Sequence, residues 1–214
     1  MKKSDLLQKL GFVDAFDNFS PIEGTILEGW NGDSPMLPAV VNEVKPKLLI
    51  EVGSWMGQSG VHFAKAVKEL NLDCSVICVD TWLGSVEHWM DPKIKPKLEL
   101  VNGYPTFYKR FLTNVKNAGV EDCVVPLPMP SLIAANFLKA NNIMADVIYI
   151  DGSHDQSDVF NDLMAYWPLL NPGGMIFGDD LPWESVKSAV YAFSAEIGYP
   201  VLEQGINWIF RKRT

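Results

Sequence analysis

The chain has 214 residues, enough for one domain with a substantial core and too few for two comfortable ones. It is 48% hydrophobic and 21% charged, an ordinary balance for a globular protein, and carries a net charge of -8. That charge argues against nucleic acid or an anionic membrane as the main partner, because a phosphate surface would repel it.

Residues 1–35 are irregular and read as an N-terminal extension or cap, with a short helix at 5–10 and a turn at Asn31-Gly32-Asp33-Ser34-Pro35. A helix at 36–44 leads into the first strand. From there, short apolar runs at 47–52, 75–79, 123–127, 147–150 and 175–177 alternate with helical stretches at 58–70, 97–117, 131–142, 155–170 and 183–197. The runs are apolar throughout, as expected of strands buried on both faces of a parallel sheet. In the fourth helical stretch Val159, Phe160, Leu163, Met164, Trp167 and Leu170 recur at three- and four-residue spacing. Asn171-Pro172-Gly173-Gly174 is expected to stop that helix. Residues 81–96, with Trp82, His88, Trp89 and Pro92, form an insertion after the second strand and are expected to serve as a lid. At the C-terminal end, 201–203, Gly205 and 207–210 read as a hairpin. Repeated β-α units predict one α/β domain over 36–214. Its sheet is doubly wound and mostly parallel, with helices on both faces and a terminal antiparallel hairpin.

Cys74, Cys78 and Cys123 lie in or beside apolar segments without metal-ligand spacing, which fits a reducing cytoplasm better than a disulfide scaffold. No apolar stretch follows Met1-Lys2-Lys3, and no run reaches the roughly 18 apolar residues of a membrane span. A cytoplasmic protein is expected. The Arg211-Lys212-Arg213 run reads as a solvated chain end.

The segment Leu48-Leu49-Ile50-Glu51-Val52-Gly53-Ser54-Trp55-Met56-Gly57-Gln58-Ser59 reads as a buried strand entering a glycine turn. In open α/β sheets ligands bind beyond the carboxyl ends of the strands, where strand order reverses. Gly53 and Gly57 permit close backbone approach, and Ser59 stands at a helix start, where free N–H groups favour an anion. Asp80 ends the second strand, placed to accept hydrogen bonds from ribose hydroxyls. The phosphate-loop pattern Gly-x-x-x-x-Gly-Lys-Ser/Thr is absent. A dinucleotide fingerprint fails at Trp55, and Glu51 would face a pyrophosphate with the wrong sign. S-adenosylmethionine, with its cationic amine and sulfonium, suits that carboxylate instead. The bland alternative is a turn that only packs helix on strand.

Glu51-x-Gly53-x-x-x-Gly57-x-Ser59 resembles the first motif of the class I S-adenosylmethionine-dependent methyltransferases, in their catechol O-methyltransferase-like branch. The resemblance covers about residues 36–210 and implies a Rossmann-like sheet of seven strands. It implies that Glu51 acts near the methionine amine, that Gly53 and Gly57 lie under the cofactor, and that Ser59 binds its carboxylate. Asp80, with Thr81 beside it, matches the ribose position. Pro130-Ser131 falls where the family approaches the adenine.

Asp151 ends the fourth strand and Asp179-Asp180 the fifth. Adjacent strands lie about 4.8 Å apart, so these carboxylates can converge on one ion. They would repel one another unless a cation balanced them. An all-oxygen set favours Mg²⁺, with Ca²⁺ or Mn²⁺ as alternatives. The competing reading is that Asp179 and Asp180 cap the next helix, helped by Pro182. Ile150-Asp151-Gly152-Ser153-His154-Asp155 with Gly178-Asp179-Asp180 resembles the metal-dependent members, which include macrolide-sugar and catechol O-methyltransferases. That resemblance implies a metal held by Asp151, Asp179 and Asp180. Asp151 would serve catalysis and the cofactor as well. His154 stands where the catechol enzymes carry a lysine and would take the acceptor proton, with Asp155 in reserve. An iron facial triad is disfavoured because His62 and His88 lie elsewhere. Trp82, Trp89 and Trp183 either wall the acceptor or pack, Trp183 being the best placed. Trp55 either covers the cofactor or fills the core.

The sequence therefore predicts an S-adenosylmethionine-dependent O-methyltransferase acting on a small-molecule vicinal diol, a sugar or catechol. Three rivals stand beside it: a metal-independent N- or O-methyltransferase, a non-catalytic module that binds the cofactor, and a nicotinamide oxidoreductase. Trp55 and Glu51 disfavour the last. Acceptor identity and oligomeric state carry no motif.

Overall fold

The computed structural model describes residues 1–214. Its elements are α1 (Lys3–Leu10), α2 (Met36–Val44), β1 (Leu48–Val52), α3 (Gln58–Glu69), β2 (Ser75–Asp80), α4 (Val86–Met90) and α5 (Tyr108–Asn117). Then follow β3 (Val124–Pro128), α6 (Ser131–Ala140), β4 (Ala145–Ile150), α7 (Gln156–Tyr166), β5 (Leu170–Gly178), α8 (Glu184–Ile197), β6 (Leu202–Gln204) and β7 (Asn207–Arg211). One seven-stranded sheet runs in the order β3-β2-β1-β4-β5-β7-β6. β3, β2, β1, β4 and β5 are mutually parallel, and β7 is antiparallel to both β5 and β6. The doubly wound sheet with its terminal hairpin is the architecture the sequence predicts. Strand order reverses between β1 and β4, so a crevice opens at their carboxyl ends.

The sheet is buried on both sides, which is why its strands show no polar alternation. Leu48, Ile50 and Val52 of β1 face a core shared with α1, α6, α7 and α8. Leu49 faces the opposite core, built with α2, α3 and α5. Leu6 and Leu10 of α1 are buried in the first of these cores, and Phe16 in the second. All three cysteines are free and buried. No helix is long and apolar enough to cross a membrane.

Three local expectations fail for identifiable reasons. The helix expected over 97–117 is only α5, preceded by a 3-10 turn at Lys95–Leu98. Asn102 and Gly103 adopt positive φ (51° and 81°) and join Val101 to Tyr104 in an isolated bridge. Pro105 then blocks helix entry by holding Tyr104 extended. The helix expected over 155–170 ends at Tyr166 in a 3-10 turn, Trp167–Leu169, whose second residue is Pro168. Asn171-Pro172-Gly173-Gly174 therefore does not stop a helix. It bulges within β5, whose pairing with β4 jumps from Ala145↔Leu170 to Val147↔Met175.

Candidate active site

Glu51 is the one charged residue of β1 and points toward α3. Ser54 Oγ donates to its Oε2 at 2.6 Å, and Ser59 Oγ donates to its Oε1. A Cβ on Gly60 would meet Glu51 Oε2 at 2.9 Å, so the first turn of α3 closes directly over this carboxyl. Burial raises its pKa, against the lowering pull of Ser54, Ser59 and Cys78. Glu51 is thus fully buried beneath the turn, with Ser59 locked onto it. The two glycines act differently. Gly53 (φ 92°) lines the crevice, and a Cβ there would stand 2.1 Å from the carbonyl oxygen of Asp151. Gly57 (φ 88°) packs on the Phe111 ring and lines neither cavity.

Asp80, at the end of β2, organises the same turn. Its Oδ2 accepts from the N–H groups of Ser54 (3.1 Å) and Trp55 (2.8 Å), and its Oδ1 accepts from Trp82 N–H at 2.7 Å. A carboxylate offers about four acceptor sites, which leaves about one for a ligand hydroxyl. Burial raises the Asp80 pKa, and these backbone bonds oppose it. Trp55, at φ 45° with its N–H bonded to Asp80, is 8% exposed and lines both cavities. Trp82 is 2% exposed, donates Nε1–H to Trp55 O, and packs on Tyr108 and Phe111. It belongs to the core and walls no acceptor. Trp89 also lies outside the cavities and donates to Leu83 O.

Two connected cavities open here, sharing Gly53, Trp55, Asp80, Ser85, His88 and Gly152. The smaller, about 250 Å³, runs past Thr81 and Ser131 to Asp162 between the ends of β2 and β3 and helix α7. Pro130 lies just outside it, at the N-cap of α6. Ser131 Oγ donates to Asp162 Oδ1 at 2.5 Å, and burial pushes the Asp162 pKa up to about 6. The larger, about 550 Å³, extends over Asp151, His154, Asp180 and Trp183 to Glu28, Trp30 and Asn31.

Asp151, Asp179 and Asp180 converge, with one ligand oxygen from each within 4.8 Å of the others. β4 and β5 pair in register up to Ile150↔Gly178, which brings the three side chains together at the next positions. Asp179 is 3% exposed, and its Oδ1 has no hydrogen-bond partner. Its Oδ2 receives only a long contact from Asn31 Nδ2, at 3.5 Å. Burial, with the charge of Asp180, pushes the Asp179 pKa up to about 6. Burial, with the charge of Asp179, raises Asp151 well above the usual carboxylate range. Capping does not explain these residues: α8 starts from Trp183 with no side-chain cap. A buried carboxylate oxygen without a donor, beside two more acids, fits a hard cation.

His154 stands between two acids, with Nε2 at 3.0 Å from Asp180 Oδ2 and Nδ1 at 3.2 Å from Glu87 Oε1. Its hydrogen bond to Asp180, reinforced by Glu87, pushes its pKa up to about 9 against partial burial. Its ring stacks on Trp183 at 4.6 Å. Asp155 is exposed at the N-cap of α7.

Sequence reasoning missed several lining residues. His88 closes a capping box with Ser85, its Nδ1 accepting Ser85 N–H at 3.0 Å, and lies between Trp30 and Trp55. Because Nδ1 accepts that N–H, Nε2 is the nitrogen that carries the proton of the ring, and burial lowers the His88 pKa. Asp162 was hidden as one polar position in an amphipathic helix. Its only signal was burial on the inner face beside Leu163.

Residues 50–181, more than half the chain, match a family model described as a methyltransferase domain. The uncharacterized protein y4gI of Sinorhizobium fredii is 22% identical over 170 residues, covering 78% of this chain and 17% of that protein. The chain thus spans well under a quarter of the length of that relative. Among solved structures, the O-methyltransferase NovP superposes with a TM-score of 0.62 at 17% identity, over 86% of this chain and 80% of that one. An O-methyltransferase from Bacillus cereus in complex with SAH does so with 0.62 at 16% identity, over 100% and 92%. At these identities the structural likeness concerns the fold. With the family model spanning the glycine turn, Asp80, Asp151 and the two acids that follow β5, the chain belongs to the methyltransferase-domain family.

Proposed function

We propose that the chain transfers a methyl group from S-adenosylmethionine to one oxygen of a small-molecule vicinal diol, a sugar or catechol, with Mg²⁺ as the favoured metal. The carrying observation is the convergence of Asp151, Asp179 and Asp180, one oxygen unpartnered, beside the larger cavity that Asp151 and Asp180 line together with Gly53 and Trp55 of the glycine turn. When bound, the cofactor supplies an electrophilic methyl on a sulfonium, and the cation supplies Lewis acidity toward the acceptor oxygens.

The remaining work falls to the chain. Asp80 offers its last acceptor site to a ribose hydroxyl, and Ser131 with Asp162 faces the base in the smaller cavity. Asp151, Asp179 and Asp180 would hold the cation. His154 stands beside Asp180 to accept the acceptor proton at Nε2, once it has released its own. The exposed Trp183 ring fixes the His154 imidazole by stacking and offers an apolar face to the acceptor. Positioning and charge neutralisation account for the rate, with no covalent enzyme intermediate.

One observation favours a metal-independent variant: His154 already engages Asp180. The deciding experiment follows labelled methyl transfer from S-adenosylmethionine to catechol and to glucose, with Mg²⁺ or with EDTA. Transfer abolished by EDTA supports the chelation reading. Transfer that survives EDTA and Asp179→Ala selects the variant. No transfer, with no binding of S-adenosylhomocysteine (SAH), contradicts both.

A further inference from the structure

Every ionisable side chain lining the larger cavity, apart from two histidines, is an acid: Glu28, Asp80, Glu87, Asp91, Asp151 and Asp180. No lysine or arginine lines it. Lys97 lies outside the lining and pairs with Glu28. His88 is held neutral, its Nδ1 accepting a backbone N–H. Asp91 has no cationic partner, its Oδ1 accepting only the N–H of Lys93, and Glu87 is shared only with His154. With Asp179 behind them, these carboxylates outnumber the charges of a dication, a sulfonium cofactor and the His154 imidazolium. The loaded cavity stays anionic.

Two large aromatic surfaces stand in the same cavity, Trp30 at 55% exposure and Trp183 at 51%. Indole faces attract ammonium groups and the C–H faces of saturated rings. Phosphate and carboxylate groups are ordinarily gripped by arginine or lysine, and this cavity offers neither. Asp151 and Asp180 line this cavity with the buried, unpartnered Asp179 oxygen behind them, which places the diol-binding end at the aspartates. Glu28, Glu87 and Asp91 line the same cavity.

We infer that the acceptor is a cationic amine bearing a vicinal diol, of the amino-sugar or aminocyclitol class. Its hydroxyls meet the aspartate cluster, and its ammonium lies toward Glu87 and Asp91 between the indoles. The inference rests on the diol-methyltransferase reading above. It excludes acceptors tethered to a nucleotide or another polyphosphate carrier, because that carrier would bring several negative charges to an acidic cavity.

The test compares probes that share a diol and differ in charge. One set is dopamine, 4-ethylcatechol and 3,4-dihydroxyphenylacetate; the other is glucosamine, glucose and glucuronate. Calorimetry on the SAH- and Mg²⁺-loaded protein should rank them cation, neutral, anion in at least one set, with about tenfold between the first two. That preference should shrink as salt rises, and in Asp91→Asn and in Glu28→Gln, read as the affinity ratio of cation to neutral probe. SAH binding with no cationic preference in either set, absence of all probe binding included, overturns this inference alone. Failure to bind SAH overturns the underlying reading and this one together.

Discussion

Asp151 and Asp179 occupy successive strand tips at the point where β4 and β5 leave the sheet, and Asp179 Oδ1 accepts no hydrogen bond although the residue is 3% exposed. Neither carboxyl has a cationic side-chain partner, and burial with repulsion from a neighbouring acid raises the pKa of both. Asp179 has its pKa raised from 3.8 to about 6 by burial and by Asp180. A carboxyl raised in this way adds stability below about pH 3.8 that is lost as pH rises through about 6. Ionising the cluster is therefore a cost, and a divalent cation relieves it.

Thermal melting at about pH 7.5 should rise by roughly 5–10 °C with Mg²⁺ at a hundred times its Kd, and the rise should fade below about pH 6. Asp179→Asn should melt higher than wild type without metal and show no Mg²⁺ response. A wild-type melting point indifferent to Mg²⁺, Ca²⁺ and Mn²⁺ at every pH would contradict the metal assignment.

His154 gains its proton from the company of Asp180 and Glu87. Its folded value of about 9 lies above the ordinary 6.5, so it adds stability below about pH 6.5 that disappears as pH rises through about 9. A cation on Asp180 withdraws the larger of its two partners. Ring NMR of His154 should give a value near 9 in the SAH complex without Mg²⁺ and a lower one with it. His154→Gln should lower kcat by about 10²–10⁴-fold, the range of general-base catalysis. An Mg²⁺-independent titration, or a variant with full kcat, removes His154 from the proton-transfer role.

Asp162 and Ser131 form the far wall of the smaller cavity. Asp162→Ala should weaken SAH binding about tenfold or more, measured by calorimetry, because a hydrogen bond to a charged group contributes about 1.5–3 kcal/mol. An unchanged SAH affinity would place the nucleoside elsewhere.

Gly53 tests the turn itself. A methyl there would stand 2.1 Å from a backbone oxygen that cannot move aside, at a φ of 92° that side chains rarely adopt. Gly53→Ala should cost more than about 3 kcal/mol in denaturant unfolding. Gly57→Ala meets only the Phe111 ring, which can shift, and should cost less. Equal costs would contradict this account of the turn.

Much of this was legible in the sequence because the signals were local. The apolar runs of β1, β2, β3 and β4 mark strands buried on two faces, and Gly53 and Gly57 do adopt the positive φ of a glycine turn. The three aspartates were visible because each ends a recognisable strand. Asn31 was not: it meets Asp179 across 148 positions, and no spacing records that contact. His88 and Trp30 were hidden for the same reason. Trp82, open in the sequence between walling the acceptor and packing, packs: the insertion folds its indole inward, where Nε1–H finds Trp55 O. The close of α7 was misread because Pro168, ahead of the Asn-Pro-Gly-Gly tract, already ends the helix.

Titration calorimetry with SAH, with and without Mg²⁺, on wild type and Asp179→Asn, bears most directly on the two-part site. Wild type should bind SAH, and Mg²⁺ should give its own heat in the SAH-loaded protein; Asp179→Asn should keep the first and lose the second. SAH binding with no Mg²⁺ heat in wild type, or with the same heat in both proteins, would contradict a cation held by Asp151, Asp179 and Asp180.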